Sequence, residues 1–461
     1  MIQRGECTMA EVKKVRCLFG TDGVRDVANR GDMTPEMALR LGRSYVLYLT
    51  ERGIPRPRIA LGRDTRRSGE MLEAALAAGM TSAGADVLLL GVIPTPGVSY
   101  AVKALEASGG SVISASHNPA EYNGIKFLDG KGCKLSDETE ATIEEYMGDN
   151  LTDDWRPTGA SVGVFQHAFD AAEEYGRWVA SLWGSEHAFF HTGVVDCAHG
   201  AAVQVARSVF RALGDGWIFI GDEPDGLNIN EGVGVMKMGH LGAAVRARHA
   251  PLGIAYDGDA DRTLLCDGKG RTINGDIMLW IIAKWLRSLG ELGGGVVATV
   301  MSNMALEDHL KKEGVPLYRC PVGDRYVVET MTDRGAKLGG EQSGHVIASS
   351  FVNTGDGLCT SLLFLKACLV LGEEIDTLVD RFDPYPQLLR NVDVAKGTVI
   401  DGAFMEDLVT RGEKLLAGAG RVLIRPSGTE PLLRVLVEAK DQVVMENVSQ
   451  VLVNAVQERY R

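Results

Sequence analysis

The sequence predicts an α/β protein of several domains, in which the strands of mixed sheets alternate with helices. Short apolar runs rich in β-branched residues alternate with segments of helical period along most of the chain. The chain has 461 residues, which at roughly 100–200 residues per domain is enough for three or four domains. Hydrophobic residues make up 45% and charged residues 24% of the chain, which is the balance of a globular protein.

The individual elements follow from the period of the apolar residues. The first unit is a predicted strand at residues 58–61 and a helix capped by Ser68, whose apolar face comprises Met71, Leu72, Ala75, Leu76 and Met80. Further strands are predicted at residues 86–92, 111–114, 193–197, 217–220, 252–256, 296–301 and 317–320. Further helices are predicted at residues 97–105, 202–213, 240–249, 305–313 and 325–334. This alternation indicates sheets that are largely parallel or mixed and covered on both faces.

The charge and the cysteines restrict the class of partner and the compartment. The formal net charge is −13, so the surface repels nucleic acid and acidic membranes, and an anionic substrate needs a local basic site. Eight scattered cysteines form no Cys-x-x-Cys pair, which argues against zinc and disulfides and favours a reducing compartment. The polar segment 1–16 has no apolar core of a secretory signal, so a cytoplasmic protein is expected.

A polar loop at residues 114–119 (SASHNP) follows the predicted strand 111–114. Ser116 is a candidate nucleophile or phosphoryl carrier, because small polar residues after a strand place a hydroxyl at the carboxyl edge of a sheet. His117 and Lys126 are candidates for proton transfer or for charge close to that hydroxyl. The alternative is a capped loop in which Ser116 only bonds backbone groups.

Three carboxylates, Asp257, Asp259 and Asp261, follow the predicted strand 252–256. They repel one another unless a cation lies between them, and hard oxygen ligands of this kind suit Mg²⁺. An EF-hand is excluded, because the chain has Arg262 and Gly268 where that loop needs glycine and glutamate. The alternative is an acidic surface turn.

Two later loops carry groups that could bind a sugar phosphate. In residues 339–345 (GGEQSGH), Glu341 and Ser343 are candidate contacts to sugar hydroxyls and His345 is a candidate proton-transfer group. Residues 425–431 (RPSGTEP) offer hydroxyls, backbone N–H groups and guanidinium to a phosphate. The candidate phosphate contacts there are Arg425, Ser427, Gly428, Thr429 and Arg434. The alternatives are a polar loop with a satisfied core histidine and a proline-bounded turn between two strands.

Together, in this order, the four loops resemble those of the α-D-phosphohexomutase superfamily. Residues 19–25 (FGTDGVR), 302–304 (SNM) and 322–326 (VGDRY) add to the resemblance, which runs from about Leu18 to the C-terminal region. It implies three related α/β domains with mixed sheets and a smaller α+β C-terminal domain around a central cleft. The expected domain boundaries are 1–157, 158–268, 269–382 and 383–461.

Within the superfamily, the sequence looks most like the enzymes that convert glucosamine 6-phosphate to glucosamine 1-phosphate. The resemblance implies a phosphate carried on Ser116, and a Mg²⁺ ion held by Asp257, Asp259, Asp261 and that phosphate. It also implies sugar contacts from Glu341 and Ser343 and phosphate contacts from the loop at 425–431 and Arg434, with Arg25 and Arg262 in support. The expected partner is a small phosphosugar, not nucleic acid or a membrane, and a homodimer is left open.

Three positions depart from the usual pattern of the superfamily: Asp26 and Ala260 replace glycines, and His199 replaces a common asparagine. Asp26 is expected to add negative charge near Arg25. The alternatives to the glucosamine reaction are a mannose or glucose phosphate mutase of the same superfamily, a phosphatase that uses Asp257 as its nucleophile, and a phosphosugar-binding protein without catalysis.

Overall fold

A computed structural model describes residues 18–20, 22–148, 155–184, 191–395, 398, 400–426 and 431–460. The polar segment 1–16 lies outside these ranges. The chain divides into two compact units. Unit 1 contains the residues up to Cys266 together with Phe351–Leu362, and unit 2 contains Asp267–Ser350 and the chain from Leu363 onward.

The first sheet of unit 1 has six strands in the order β1-β5-β4-β2-β3-β6. The strands are β1 (Val24–Val27), β2 (Arg58–Arg63), β3 (Asp86–Val92), β4 (Gly109–Ile113), β5 (Tyr122–Leu128) and β6 (Phe165–His167). The pairs β2–β3, β2–β4 and β3–β6 are parallel, whereas β5 runs antiparallel to both β4 and β1. The associated helices are α1 (Pro35–Glu51), α2 (Ser68–Ser82), α3 (Thr95–Ala104), α4 (Asp137–Gly148) and α5 (Ala171–Ser181).

The second sheet of unit 1 runs in the order β10-β9-β7-β8. Its strands are β7 (Thr192–Asp196), β8 (Gly216–Ile220), β9 (Leu252–Tyr256) and β10 (Thr263–Asp267), with helices α6 (Val203–Arg211) and α7 (Met238–Arg248). Strand β7 is parallel to both β8 and β9, and β9 is buried throughout. The loops after β4 and β9 therefore leave the carboxyl ends of buried strands, where α/β proteins place ligands.

Unit 2 contains a mixed sheet of four strands and an antiparallel sheet of three, ordered β13-β12-β14-β15 and β16-β18-β17. The strands of these two sheets are β12 (Val296–Thr299), β13 (Leu317–Cys320), β14 (Leu338–Gly340), β15 (Val346–Ala348), β16 (Gln387–Asp393), β17 (Gly420–Pro426) and β18 (Leu432–Ala439). The two-residue strand β11 (Thr272–Ile273), which belongs to neither sheet, also falls within the residues of unit 2. The helices are α8 (Gly275–Ser288), α9 (Met304–Lys312), α10 (Asp324–Arg334), α12 (Ile375–Arg381), α13 (Gly402–Leu416) and α14 (Gln442–Tyr460), while α11 (Gly357–Leu371) starts in unit 1 and ends here.

The predicted mixed α/β architecture is confirmed, and the strands predicted at 86–92, 252–256 and 317–320 have those bounds. The predicted cap of α2 is wrong. Ser68 is the first helical residue, and no side chain caps that helix. The Ser68 hydroxyl instead accepts a hydrogen bond from the Asn123 side chain on β5, at 3.0 Å. Among the described residues, no helix has both the length and the apolar character that a bilayer span requires.

The segment 383–386 (DPYP), which contains the last predicted domain boundary, is neither helix nor strand. Asn303 fastens it to the start of α9 within unit 2. The Asn303 amide donates to the Tyr385 carbonyl at 2.9 Å and accepts from the Tyr385 N–H at 3.0 Å. Its Oδ1 also accepts from the Ala305 N–H, which caps α9. Asn303 of the SNM segment thus holds in place the backbone at Tyr385, just before the C-terminal region begins.

The core of the first sheet depends on a close approach of helices α1 and α2. Gly42 on α1 and Gly79 on α2 both lack the room for a side chain. A Cβ on Gly42 would lie 2.5 Å from the Leu76 carbonyl oxygen, and one on Gly79 would overlap the carbonyl of Leu39. Backbone therefore packs on backbone here, which leaves no side chain that could rotate away.

We expect Gly79→Ala to lower the free energy of unfolding by about 2 kcal/mol or more, because the added methyl group forces the two helices apart. Gly239→Ala in α7 is the matched control. Its Cβ meets open space, so the higher helix propensity of alanine is expected to add up to about 1 kcal/mol. Urea titration followed by circular dichroism measures both, and an unchanged Gly79→Ala midpoint would contradict the packing.

Candidate active site

Ser116 lies at the carboxyl edge of the first sheet, three residues after β4 ends. It is 2% exposed. Its hydroxyl donates to Asp257 Oδ2 at 2.7 Å and lies 3.3 Å from His117 Nδ1. The serine loop and the aspartate loop, which are far apart in the sequence, therefore meet in unit 1.

Asp257, Asp259 and Asp261 form a buried cluster, with one oxygen from each lying within 4.8 Å of the others. Burial raises the pKa of Asp257 well above its usual value, and the charges of Asp261 and Asp259 raise it further. Within the described part of the chain, Asp259 Oδ1 is buried without a hydrogen-bond partner. Three buried carboxylates and an unsatisfied oxygen fit a hard divalent cation, which would offset their repulsion.

Close contact between the two loops depends on glycine. A Cβ on Gly258 would lie 2.5 Å from the Ser116 carbonyl oxygen. Ala260 has φ +55 and His199 has φ +49, so both are in the left-handed region. Glycine and asparagine tolerate that region best, which explains why these residues are usual at the two positions in the superfamily.

Lys126 on β5 supplies positive charge to the cluster. Its ammonium group lies close to three carboxylates: Asp22 at 2.8 Å, Asp259 at 3.2 Å and Asp261 at 3.9 Å. Burial alone would lower the pKa of Lys126, but attraction to these carboxylates raises it above the usual value. The environment therefore favours the ammonium form. It supports Lys126 as a source of charge or as a proton donor, not as a base.

His117 has the opposite character. Burial, together with repulsion from Arg262 and Arg25, lowers the pKa of His117 to about 4. The imidazole is therefore neutral at pH 7. One of its nitrogens can accept a proton, and the tautomer decides which nitrogen it is.

Arg25 and Arg262, the two predicted supporting residues, lie beside residues of this pocket. Arg25 bonds Asp22 at 3.1 Å and the Asn118 side chain at 3.3 Å. Arg262 Nε lies 3.9 Å from Asp261 Oδ1. The side chain of Asp26 accepts from the backbone N–H groups of residues 27 and 32, so it closes a turn. The expectation that Asp26 adds negative charge near Arg25 stays a prediction.

The predicted sugar-binding residues lie on one loop of unit 2, after β14. Glu341 accepts from the Gly323 N–H at 3.3 Å and from the Ser343 hydroxyl at 3.2 Å. Ser343 is exposed, whereas His345 is 3% exposed with its Nε2 3.6 Å from Asp324 Oδ2. Carboxylate and hydroxyl are thus held side by side, an arrangement that suits a polyol.

Arg425 and Arg434 are directly opposite each other on the antiparallel strands β17 and β18. Burial and the neighbouring Arg434 charge lower the pKa of Arg425. Like charges directly opposite one another on a sheet are destabilising, and a bound anion removes that repulsion. The other predicted phosphate contacts, Ser427, Gly428 and Thr429, lie outside the described residues.

Several side chains of the pocket in unit 1 were not assigned a role from the sequence. Asp22 bonds Lys126, and Thr95 donates to Asp259 Oδ2 at 2.7 Å. Arg66 is 0% exposed and donates to the Ser116 carbonyl at 3.0 Å. The polar run at residues 64–66 (DTR) directly after β2 could have pointed to Arg66, because β2 and β4 are parallel neighbours and share a carboxyl edge.

Comparison with known proteins places this geometry in a family. Models of the phosphoglucomutase/phosphomannomutase family match residues 16–153 (alpha/beta/alpha domain I), 274–385 (alpha/beta/alpha domain III) and 386–455 (C-terminal domain). The phosphoglucosamine mutase of Pelotomaculum thermopropionicum is 46% identical over 443 residues, covering 96% of this chain and 99% of that protein. The phosphoglucosamine mutase of Bacillus subtilis is 44% identical over 424 residues, covering 92% and 94%.

Solved structures share the fold at lower identity. A phosphoglucomutase/phosphomannomutase family protein from Burkholderia thailandensis matches with a TM-score of 0.78 at 22% identity, covering 96% of this chain and 97% of that one. The N-acetylphosphoglucosamine mutase of Aspergillus fumigatus, solved with GlcNAc-6P and magnesium, matches with a TM-score of 0.66 at 18% identity, covering 97% of each chain. The chain therefore belongs to the phosphoglucomutase/phosphomannomutase family and, within it, to the phosphoglucosamine mutases.

Proposed function

We propose that the protein interconverts glucosamine 6-phosphate and glucosamine 1-phosphate, with Ser116 as the phosphoryl carrier. The observation that carries this proposal is the 2.7 Å contact between the Ser116 hydroxyl and a carboxylate of the buried aspartate cluster. The identity of 46% to a phosphoglucosamine mutase over nearly the whole chain supports the choice of substrate. The enzyme is then an isomerase that moves a phosphoryl group within one molecule.

Phosphoryl transfer depends on positioning and on the neutralisation of charge more than on covalent chemistry. We assign Asp257, Asp259, Asp261 and the phosphate on Ser116 as the ligands of Mg²⁺, which when bound withdraws charge from the transferring group. Lys126 adds a second positive charge from within the protein. The neutral His117 can accept the proton of the Ser116 hydroxyl when the phosphoryl group returns to Oγ.

The reaction has two phosphoryl transfers, one from Ser116 to the sugar and one from the sugar back to Ser116. A sugar hydroxyl attacks the phosphorus on Ser116 and gives up its proton, the bond between phosphorus and Oγ breaks, Oγ takes up a proton, and a sugar bisphosphate forms. The Ser116 hydroxyl then attacks the other phosphorus and loses its proton, the bond between that phosphorus and the sugar oxygen breaks, and the sugar oxygen takes up a proton, so the product carries its phosphate on the other hydroxyl. Between the two transfers the sugar must turn end for end, so its binding groups have to accept two orientations.

Residues of unit 2 are assigned to hold the sugar and the phosphate that is not transferred. Glu341 and Ser343 are the proposed contacts to sugar hydroxyls, and His345 is a proposed proton-transfer group. The proposed phosphate contacts are Arg425, Ser427, Gly428, Thr429 and Arg434. The facing guanidinium groups of β17 and β18 support the last assignment.

We also propose the four-domain division at 1–157, 158–268, 269–382 and 383–461. Separate family models for domains I and III and for the C-terminal domain support it. A cytoplasmic location is proposed as well. The cysteines of the described residues are free thiols, namely Cys133, Cys197, Cys266, Cys320, Cys359 and Cys368, and a reducing compartment keeps them so.

We expect purified enzyme to convert glucosamine 6-phosphate at least about tenfold more efficiently than glucose or mannose 6-phosphate, because the chain is 46% identical to a phosphoglucosamine mutase over nearly its whole length. Side-by-side kcat/KM values for the three substrates measure this preference. Equal kcat/KM values for the three substrates would contradict the preference for glucosamine 6-phosphate and would support only a mutase of the wider superfamily. Release of free phosphate without isomerisation would instead support a phosphatase.

Ser116→Ala is expected to reduce turnover by on the order of 10³-fold or more, because no other residue carries the phosphoryl group. Intact-mass and peptide analysis should find phosphate on Ser116 in the wild-type protein and none in the variant. Ser208→Ala on the outer face of α6 is the control and should keep both activity and phosphate. Near-normal mutase activity in Ser116→Ala would end the assignment.

Asp259→Asn is expected to raise the Mg²⁺ concentration needed for half-maximal activity at least about tenfold, because it removes one charged ligand from the cluster. Calorimetric titration of the metal-free protein with Mg²⁺ should show the same weakening without any substrate present. The exposed Asp333→Asn on α10 should titrate like the wild type. Identical metal titrations for Asp259→Asn and the wild type would exclude this cluster as the metal site.

A further inference from the structure

The backbone of Ser116 is strained. Its φ is +51, in the left-handed region, although serine has no glycine-like freedom there. Such a conformation costs roughly 1–2 kcal/mol and persists only when the surrounding structure determines it. The residues that hold this conformation are therefore the residues that set the direction of the Ser116 hydroxyl.

Two side chains from different segments donate hydrogen bonds to carbonyl groups of the serine loop. Arg66 Nη2 donates to the carbonyl oxygens of Ser116 at 3.0 Å and Asn118 at 2.8 Å. Asn230 Nδ2 donates to the same two oxygens, at 2.9 Å and 3.1 Å. Each carbonyl oxygen thus accepts two hydrogen bonds, which is the capacity of its two lone pairs.

The Arg66 side chain is itself held in place by a buried ion pair. Its Nε donates to Asp64 Oδ2 at 2.9 Å, and both side chains are 0% exposed. The same Asp64 oxygen accepts from the Ser114 hydroxyl at 2.7 Å, and that hydroxyl accepts from the Ser116 N–H at 2.9 Å. The N–H and the carbonyl of Ser116 are therefore held by one connected network.

We propose that Arg66 and Asn230 are positioning residues for phosphoryl transfer, which hold the strained Ser116 so that its hydroxyl faces the aspartate cluster. The inference rests on the proposed function. Neither side chain contacts the Ser116 Oγ, so each acts through the loop backbone. A shift of about 1 Å in a reacting group can cost on the order of 10²-fold in rate. Loss of these hydrogen bonds should therefore lower kcat and leave substrate affinity, and hence KM, nearly unchanged.

The test compares two asparagines of one loop. Asn230→Asp removes the donor at nearly constant shape, and aspartate tolerates the φ of +60 at this position. Asn230→Gly removes the donor without adding charge and also accepts a positive φ. Asn228→Asp and Asn228→Gly are the matched controls, because Asn228 Nδ2 also donates to a loop carbonyl, that of Glu223 at 2.9 Å, but not to the serine loop.

Both Asn230 variants are expected to lose about 10- to 100-fold in kcat with KM within about twofold, while both Asn228 variants stay near wild type. Unchanged kcat in Asn230→Gly would overturn the proposal, because a loss in Asn230→Asp alone would be an effect of charge. Equal losses in the Asn228 variants, or a rise in KM that accounts for the loss, would show a general structural role and would also overturn it.

A second measurement separates this inference from the proposed function. Amide hydrogen exchange in a peptide covering residues 114–118 should be at least about fivefold faster in the Asn230 variants than in the Asn228 variants. Wild-type protein without mutase activity would overturn the proposed function and leave this comparison valid. Equal exchange in all four variants would overturn the positioning role itself.

Discussion

The chemistry of unit 1 is dominated by the repulsion among three buried carboxylates. Asp257, Asp259 and Asp261 are at most 4% exposed, and one carboxylate oxygen of each lies within 4.8 Å of the others. Water therefore cannot screen the repulsion between their charges effectively. The surrounding sequence holds them despite this cost: Lys126 approaches from β5, and Gly258 lets the serine loop come close. A site that concentrates charge in this way suits a divalent cation, which would offset the repulsion among the carboxylates when bound.

Four of the non-glycine residues with positive φ in unit 1 lie in or near the serine and aspartate loops. Ser116, His199 and Ala260 have φ between +49 and +55, and Asn230, which grips the serine loop, has φ +60. Buried hydrogen bonds to Ser116 and to its neighbours hold this conformation. Strain that is held by a saturated network is characteristic of functional sites, because it fixes one direction for the reacting group. The departures at His199 and Ala260 add to the strain without removing a metal ligand.

Unit 2 contributes groups of a different kind. Glu341 and Ser343 present oxygen atoms suited to hydroxyl groups, and Arg425 and Arg434 place two positive charges side by side. Under the proposed mechanism, these groups bind the parts of the substrate that do not react, while Ser116 and the carboxylates take part in the chemistry. Asn303, through its paired hydrogen bonds to Tyr385, fastens the start of the segment that carries the arginine pair. Asn303, to which the sequence assigned no structural role, thus ties the start of α9 to the segment at 383–386.

The sequence by itself determined the mixed α/β class and several strand bounds, and it singled out Ser116 and the three aspartates as candidates. The period of the apolar residues indicates strands, and polar loops that follow apolar strands indicate candidate sites. Both can be recognised from the sequence because each depends only on residues that are neighbours in the chain. The tertiary structure decided what depends on distant partners: the role of Asp22 beside Lys126, the grip of Arg66 and Asn230, and the lowered pKa of His117. Hydrogen bonds and charges between residues 50 or more positions apart leave no periodic trace, so only the folded chain shows them.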